Sequence, residues 1–542
     1  MSDVPGTLSS SSSSPGPARA GVGTPARAAA SLAPRFPGLF APTPPTGTPR
    51  PNPTPVLTDL NLDRVFGSLA TGREEHDLLP LYEAPAVDVD ELRYRQEVAQ
   101  DLDRAEVGDA VRRFADGMRA VRRGLATAPK RYHELQRGRI LLDAAVEYAE
   151  AVVGLERALD PASLGSRGLR ALREYLRWLV TAPAFVRLRT EALGLETAFG
   201  EITYLVHVRG RHVEVAPYRG EADLGASVEE SFRRFEGPNE KEYRFPSRHG
   251  PDLDGVEGEI LDRVALLFPG PFDRMRRFVT GADGWVDPVV RRFDREAQYF
   301  LAYLGLVEKL RARGLGFCFP EVVAAGPDEA AEGIFDLALA IREPAATTPI
   351  VANDFSLVAP ERIVVVTGPN QGGKTTFARA VGQLHYLAAL GLPVPARSAR
   401  LAFADRVFTH FGSPESLAEQ RGRLEDDLVR LHRILEDATD ASLVILNESF
   451  ASATLEDALL LGGELLRQLI ERRTRAVCVT FLDELSRLAP ETVSLVATVA
   501  PDDPNIRTFR IVRRFADGRA YAMALAEKHA LTYADLRRRW AP

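Results

Sequence analysis

Glycines leading into a lysine and two threonines give the clearest chemical signal in this sequence. In IVVVTGPNQGGKTTFARAV, an apolar run enters a turn that fits G-x-x-x-x-G-K-[ST] through Gly368, Gly373, Lys374 and Thr375. Glycines let the backbone curl so that successive N–H groups and the following helix N-terminus face phosphate oxygens. The spacing therefore predicts a triphosphate cradle, and ATP as its ligand, made by Gly368, Pro369, Asn370, Gln371, Gly372, Gly373, Lys374, Thr375 and Thr376. Lys374 should reach the β- and γ-phosphates as a compact cation, and the Thr375 hydroxyl should ligate Mg²⁺. Lysine is scarce here: only Lys130, Lys241, Lys309, Lys374 and Lys528 interrupt an otherwise all-arginine set of 68 basic residues.

A second element of such a site is an apolar strand ending in acids. SLVILNESF supplies one, with Leu443 to Leu446 as the strand and Asn447 and Glu448 after it. Glu448 stands where a general base would activate water. Asn447 occupies the position usually held by a Mg²⁺-binding aspartate, and it offers only a neutral oxygen, so hydrolysis is expected to be slow. His207 and His212 flank an expected hairpin turn, and His385, His410 and His432 read as isolated, so no metal beyond Mg²⁺ is expected.

These residues need a scaffold, and the pattern around them supplies two kinds. From about Leu57 to Phe319 apolar residues recur at three- and four-residue spacing, as in GRILLDAAVEYAEAVVGLERAL, which predicts helices. EITYLVHVRG and RHVEVAPY alternate instead, predicting a hairpin near 201–218. After about Gly326 short apolar runs alternate with helical stretches, the pattern of a parallel α/β domain. Residues 1–55 hold 13 of the 38 prolines with Asp3 as the only acid, and are expected to be a disordered Pro/Ser/Ala-rich tail. Its dense prolines argue against the amphipathic helix of a transit peptide. The expected organisation is a tail at 1–55, a helical body at 56–325 with a β-containing insert at about 195–250, and an α/β P-loop domain at 326–542.

With 542 residues, 45% of them apolar, the chain can bury more than one core. The net charge of −7 excludes a wholly basic nucleic-acid coat but not a local basic face. Cys318 and Cys478 sit in apolar runs, so the expectation is free thiols in a reducing cytoplasm, with no disulfide framework.

The stretch GPNQGGKTTFARAVGQLHYLAALGLPVPARSARLAFADRVFTHFG resembles the MutS-like mismatch-repair ATPases, including G-x-x-V-P-A at Gly391 to Ala396 and Asp405 to Thr409. The similarity continues through ILEDATDASLVILNES and TFLDELSRL. Upstream, ELRYRQEVAQDL resembles the start of the family's core and FDREAQYFLAYL its lever helices; FRIVRRFADGRAYAMALAEKHAL resembles its C-terminal strand and dimerising helix. The resemblance implies an ABC/MutS-type P-loop ATPase domain behind a helical core, a dimer that sandwiches ATP, a DNA clamp driven by nucleotide state, and a cytoplasmic role in DNA repair. It covers about Leu57 to the end.

Several departures limit what the resemblance implies. Residues 1–55 do not read as mismatch-reading or connector domains, and no Smr-type nuclease is expected after the ATPase part. Phe199-Gly200-Glu201 spells the Phe-x-Glu of a mismatch wedge but falls inside the core, where it reads as coincidence. Gly422, Arg423 and Leu424 replace the serine-bearing signature, with the acids Glu425 to Asp427 following. Phe481 stands in place of a γ-phosphate-sensing histidine and is expected to pack in the core. Candidate phosphate contacts on DNA are Arg167, Arg170, Arg173 and Arg177 on one helix, Arg112, Arg113, Arg119, Arg122 and Arg123 on another, and Arg209, Arg211 and His212 at the hairpin, followed by FRRFEGPNEKEYRF. The alternative to a DNA-binding ATPase is a nucleotide-gated protein-interaction switch; a transporter ATPase subunit fits poorly, because no serine-glycine-glycine signature is present.

Overall fold

The structure, a computed structural model, describes residues 33–43 and 55–515 except 161, 211, 222–252, 281–283, 325, 327, 344–348, 413–419 and 504–505, together with Tyr533 and Arg537. The helical part runs α1 (Pro55–Asp59), α2 (Leu62–Ala70), α3 (Leu79–Tyr82), α4 (Val89–Asp103), α5 (Ala105–Thr127), α6 (Glu134–Ala158), α7 (Arg167–Leu179), α8 (Pro183–Gly200), the hairpin β1 (Tyr204–Arg209) and β2 (His212–Pro217), α9 (Gly255–Leu267), α10 (Pro269–Thr280) and α11 (Pro288–Arg311). Their starts are written locally. Asp88 caps α4, Asp254 and Glu257 form a reciprocal capping box on α9, and Asp287 caps α11 ahead of Pro288. Helices α5 and α6 lie close because glycines face alanines: a Cβ on Gly117 would sit 2.9 Å from that of Ala151.

The remainder comprises β3 (Glu321–Val323), β4 (Glu329–Ile334), α12 (Leu337–Arg342), β5 (Asn353–Leu357), β6 (Ile363–Thr367), α13 (Lys374–Ala389), β7 (Ser398–Ala402), β8 (Val407–Phe411), α14 (Gln420–Asp437), β9 (Leu443–Asn447), α15 (Leu455–Glu471), β10 (Arg475–Val479), β11 (Thr492–Val499) and β12 (Arg507–Arg513). Six strands form a sheet in the order β12-β11-β6-β10-β9-β8, parallel except for β12, and four form a second sheet in the order β3-β7-β4-β5. Strand β6 is buried along its whole length and sends alternate residues to opposite cores. Val364 and Val366 join the large core shared with the helical part, and Ile363 and Val365 join the one under α14 and α15. A central parallel strand covered on both faces explains its unbroken apolar run.

Two boundaries differ from the sequence expectation. Within the expected tail, residues 33–43 are packed: Phe36 and Leu39 are buried, Leu39 N–H donates to Glu296 at 2.7 Å, and Tyr94 hydroxyl donates to the Gly38 carbonyl at 2.8 Å. The apolar cluster in PRFPGLF outweighs the prolines around it. Residues 1–32 and 44–54 lie outside the described residues. The division near 326 also shifts. Strand β3 already belongs to the second sheet, and Leu60 in the turn after α1 packs against Gly382 of α13.

Tyrosines join the two parts. From α11, Tyr299 hydroxyl donates to the Leu390 carbonyl at 3.0 Å and Tyr303 to that of Pro393 at 2.8 Å, while Tyr386 on α13 donates to the Tyr82 carbonyl at 3.0 Å. All are fully buried. Both cysteines are free, Cys478 buried and Cys318 partly so, and burial pushes their thiols up to about 12 and about 11. No helix among the described residues is long and apolar enough to cross a membrane.

Candidate functional site

The loop from Gly368 to Gly373 joins the carboxyl end of β6 to the first turn of α13. Its glycines are sterically required. Gly368 has φ +111° and a Cβ there would lie 2.8 Å from the Ala497 carbonyl oxygen, while a Cβ on Gly372 would lie 2.9 Å from that of Pro369. Gly373, at φ +90°, precedes Lys374, the first residue of α13. The Lys374 side chain turns back over the loop. Its ammonium donates to the carbonyls of Gly368 at 2.9 Å and Pro369 at 3.2 Å and to Asn370 Oδ1 at 3.3 Å. Burial holds its pKa below the ordinary lysine value, opposed by the Glu448 carboxylate and reinforced by Arg507.

Asn447 and Glu448 arrive from the end of β9, two strands away in the same sheet. The Thr375 hydroxyl donates to Asn447 Oδ1 at 2.8 Å, so the two residues expected to share a metal meet directly. Glu448 is exposed, lines the same cleft as Lys374 and Thr375, and its N–H donates to the Val479 carbonyl at 2.9 Å. Thr375, Asn447 and Glu448 thus present two neutral oxygens and one carboxylate. Hard oxygen donors of this kind suit Mg²⁺, which keeps several waters and takes few protein ligands.

The cleft holds about 690 Å³, within the range of small-molecule sites. Beyond the loop its walls are largely apolar: Ile334, Phe335, Leu339, Ile350, Phe377 and Phe509. Sequence reasoning missed this wall and two neighbours. Phe509 lies against Gly373, its Cδ1 3.6 Å from where a Cβ would stand, and Arg507 Nε donates to the Asn370 carbonyl at 3.1 Å. Both come from edge strand β12, more than a hundred residues from the loop, and no spacing rule links them. Positive φ provides a structural marker: Gln371, Glu448, Phe450 and Phe509 all take left-handed backbone at or beside the cleft. Such conformations cost about 1–3 kcal/mol each and gather at functional sites.

Other expectations fare differently. Phe481, expected in the core, is 54% exposed just after β10, because the chain leaves the sheet there and turns its ring outward. The Phe199-Gly200-Glu201 sequence ends α8, and Phe199 packs edge-on against Phe272 at 5.1 Å, a structural use. The histidines expected to be isolated face carboxylates: His385 Nε2 lies 3.2 Å from Glu329, His410 Nε2 3.1 Å from Asp427, and His432 Nε2 3.3 Å from Glu436. These partners are distant in sequence or one helical turn away, so only folding reveals most of them.

Many of the arginines expected to meet DNA phosphates have partners within the chain. Arg167 pairs with Asp90 and Glu97, Arg112 with Asp109, Arg119 with Asp116 and Arg122 with buried Asp294, while Arg170 and Arg173 donate to carbonyls. Arg113, Arg123, Arg177 and Arg209 are exposed. The hairpin forms nearly where expected, but one face carries Tyr204, Val206 and Val208 opposite Pro217, Val215 and Val213. Arg211, FRRFEGPNEKEYRF and nearly all of the C-terminal helical stretch lie outside the described residues. The burial of Gly422 and Arg423 in α14 likewise lies outside what is described, whereas Leu424 is half-buried and Glu425 and Asp426 are exposed.

Residues 364–533 match the family described as MutS domain V. The chain is also similar to the endonuclease MutS2 of Thermus thermophilus, with 34% identity over 190 residues, or 35% of this chain. It spans about a quarter of the length of that curated relative, the matched share being 25%.

Proposed function

From a chain that is MutS-like through its domain V, we propose an ATPase of DNA repair or recombination that binds ATP with Mg²⁺, hydrolyses it slowly as a dimer and uses it to gate a DNA clamp. The observation that carries this reading is convergence. Lys374, Thr375, Asn447 and Glu448 come from two loops 72 residues apart and meet at one cleft, which has an apolar wall at its far side. The loop N–H groups and the start of α13 cradle the phosphates, and Lys374 exchanges its loop carbonyls for phosphate oxygens. The apolar wall of Phe335, Ile350 and Phe509 receives the base. Mg²⁺, when bound, neutralises phosphate charge. Glu448 takes the proton of the attacking water, and Thr375 and Asn447 would hold Mg²⁺, Asn447 weakly or through water, while their contact keeps the loops in register.

Slow turnover follows from the neutral Asn447. Asn447→Asp preserves the acceptor for Thr375 and adds a negative charge. The added carboxylate attracts the cation directly, and a charge pair open to water contributes about 1 kcal/mol or slightly more. The variant should therefore bind Mg²⁺ roughly fivefold to tenfold more tightly and turn over faster. Mg²⁺ titration of the ATPase rate measures both, and no gain in either would remove Asn447 as the reason for slowness.

A second reading is favoured by the paired arginines and the apolar hairpin face: a nucleotide-gated switch that contacts protein and not DNA. Filter binding to duplex and branched DNA at two salt concentrations, with and without ATP and Mg²⁺, separates the two. Under the first reading binding depends on nucleotide and weakens steeply with salt, as phosphate contacts require. Absence of binding in every condition would leave the switch.

A further inference from the structure

Beside the end of β9, at the edge strand β8, three side chains from three elements form one hydrogen-bonded chain. The His410 ring on β8 is fully buried. Its Nδ1 lies 2.9 Å from the Ser449 hydroxyl and its Nε2 3.1 Å from the Asp427 carboxylate of α14. An ionised carboxylate only accepts, so Nε2–H donates to Asp427 and fixes the ring plane. Carboxylate, imidazole and hydroxyl stand in the order of a nucleophilic triad. The void against Ser449, however, holds only about 10 Å³, far below what an acyl or phosphoryl substrate needs. Positioning is the chemistry left to this group.

Ser449 follows Glu448 directly. Glu448 sits at φ +54° and buried Phe450 at φ +64°, so Ser449 lies between two left-handed residues in a backbone that does not hold itself. On one side the Glu448 N–H is anchored to Val479; on the other, His410 anchors Ser449. The other end of the chain is a control point. Thr409, next to His410, donates to Asp59 of α1 at 2.7 Å, and Arg430, three residues beyond Asp427 on α14, carries a positive charge that acts on the same Asp59. Helix α14, the base-bearing loop and the N-terminal helix α1 therefore meet around β8.

We propose that His410 is a positioning residue that couples α14 to Glu448, so that the placement of α14 sets the working geometry of the base. This deepens the reading of Glu448 as general base and rests on it. Misplacing a reacting group by about 1 Å can cost about a hundredfold in rate, and losing one tether of the loop costs part of that.

The test uses the full chain with Ser449→Ala, His410→Gln and the double variant. ATPase kinetics are paired with hydrogen exchange over residues 424–431 and 446–452. Each single variant should lower kcat about tenfold with KM within about twofold. The double variant should fall no further than the worse single, since both cut one chain. Ser449→Ala should also speed exchange in 424–431, a different element from the one substituted. Unchanged kcat, additive losses, or faster exchange confined to 446–452 would each overturn the coupling. If the unsubstituted protein bound ATP without cleaving it, the hydrolysis reading would fail, and the exchange result alone would decide whether α14 and the Ser449 loop are linked.

Discussion

Lys374→Ala should abolish useful nucleotide binding, weakening ATP at least about a hundredfold while the protein stays folded. The ammonium lies within hydrogen-bond reach of three oxygens of the loop, and hydrogen bonds to charged groups contribute about 1.5–3 kcal/mol each. Losing two of them to phosphate oxygens amounts to about 3 kcal/mol or more, which is a factor of at least a hundred. The fold should tolerate the change. The oxygens that buried Lys374 now contacts belong to the loop of Gly368, Pro369 and Asn370 that lines the cleft, so water entering from the cleft can replace the ammonium. Equilibrium binding of a fluorescent ATP analogue with Mg²⁺ measures the loss, and thermal unfolding checks the fold. Wild-type affinity in this variant would remove the loop as the binding site.

Glu448→Gln should separate binding from cleavage. Glutamine keeps the size of the side chain but cannot accept the proton of an attacking water, and general-base catalysis supplies about 10²–10⁴ in rate. Hydrolysis should fall by about two orders of magnitude or more, with ATP affinity within about twofold of the parent. A single-turnover assay with isolation of the protein–ATP complex reads both quantities. Cleavage at the parental rate would place the base elsewhere. The two variants fail in opposite ways, which excludes general misfolding as their shared cause.

How much of this site could be read in advance follows from how local each part is. Gly368 to Thr376 are consecutive, and the flanking strand and helix are encoded beside them, so the loop was legible in full. Asn447 and Glu448 were legible because they end an apolar strand. Phe509 and Arg507 were not: β12 reaches the loop only through antiparallel pairing with β11, and nothing in their own neighbourhood signals it. The link of His410 to Ser449 and Asp427 was hidden for the same reason, at separations of 39 and 17 residues. The packed strap at 33–43 was lost by averaging. Composition over 55 residues is dominated by proline and serine, whereas the apolar area that decides packing sits in Phe36, Leu39 and Phe40. Phe481 misled through its type, since an aromatic residue after a buried strand reads as core until the path of the chain is known.

The tyrosine hydroxyls that tie α11 to the segment just after α13, and α13 to α3, have a mechanical consequence. Each satisfies a carbonyl in a dry interior, so breaking one leaves an unpaired polar group at a cost of about 1–3 kcal/mol, and the contacts must break together for the parts to slide. The seam is thus welded rather than jointed. A tilt of the helix that begins at Lys374 and ends at Ala389 should therefore carry the 24-residue α11 with it as one piece.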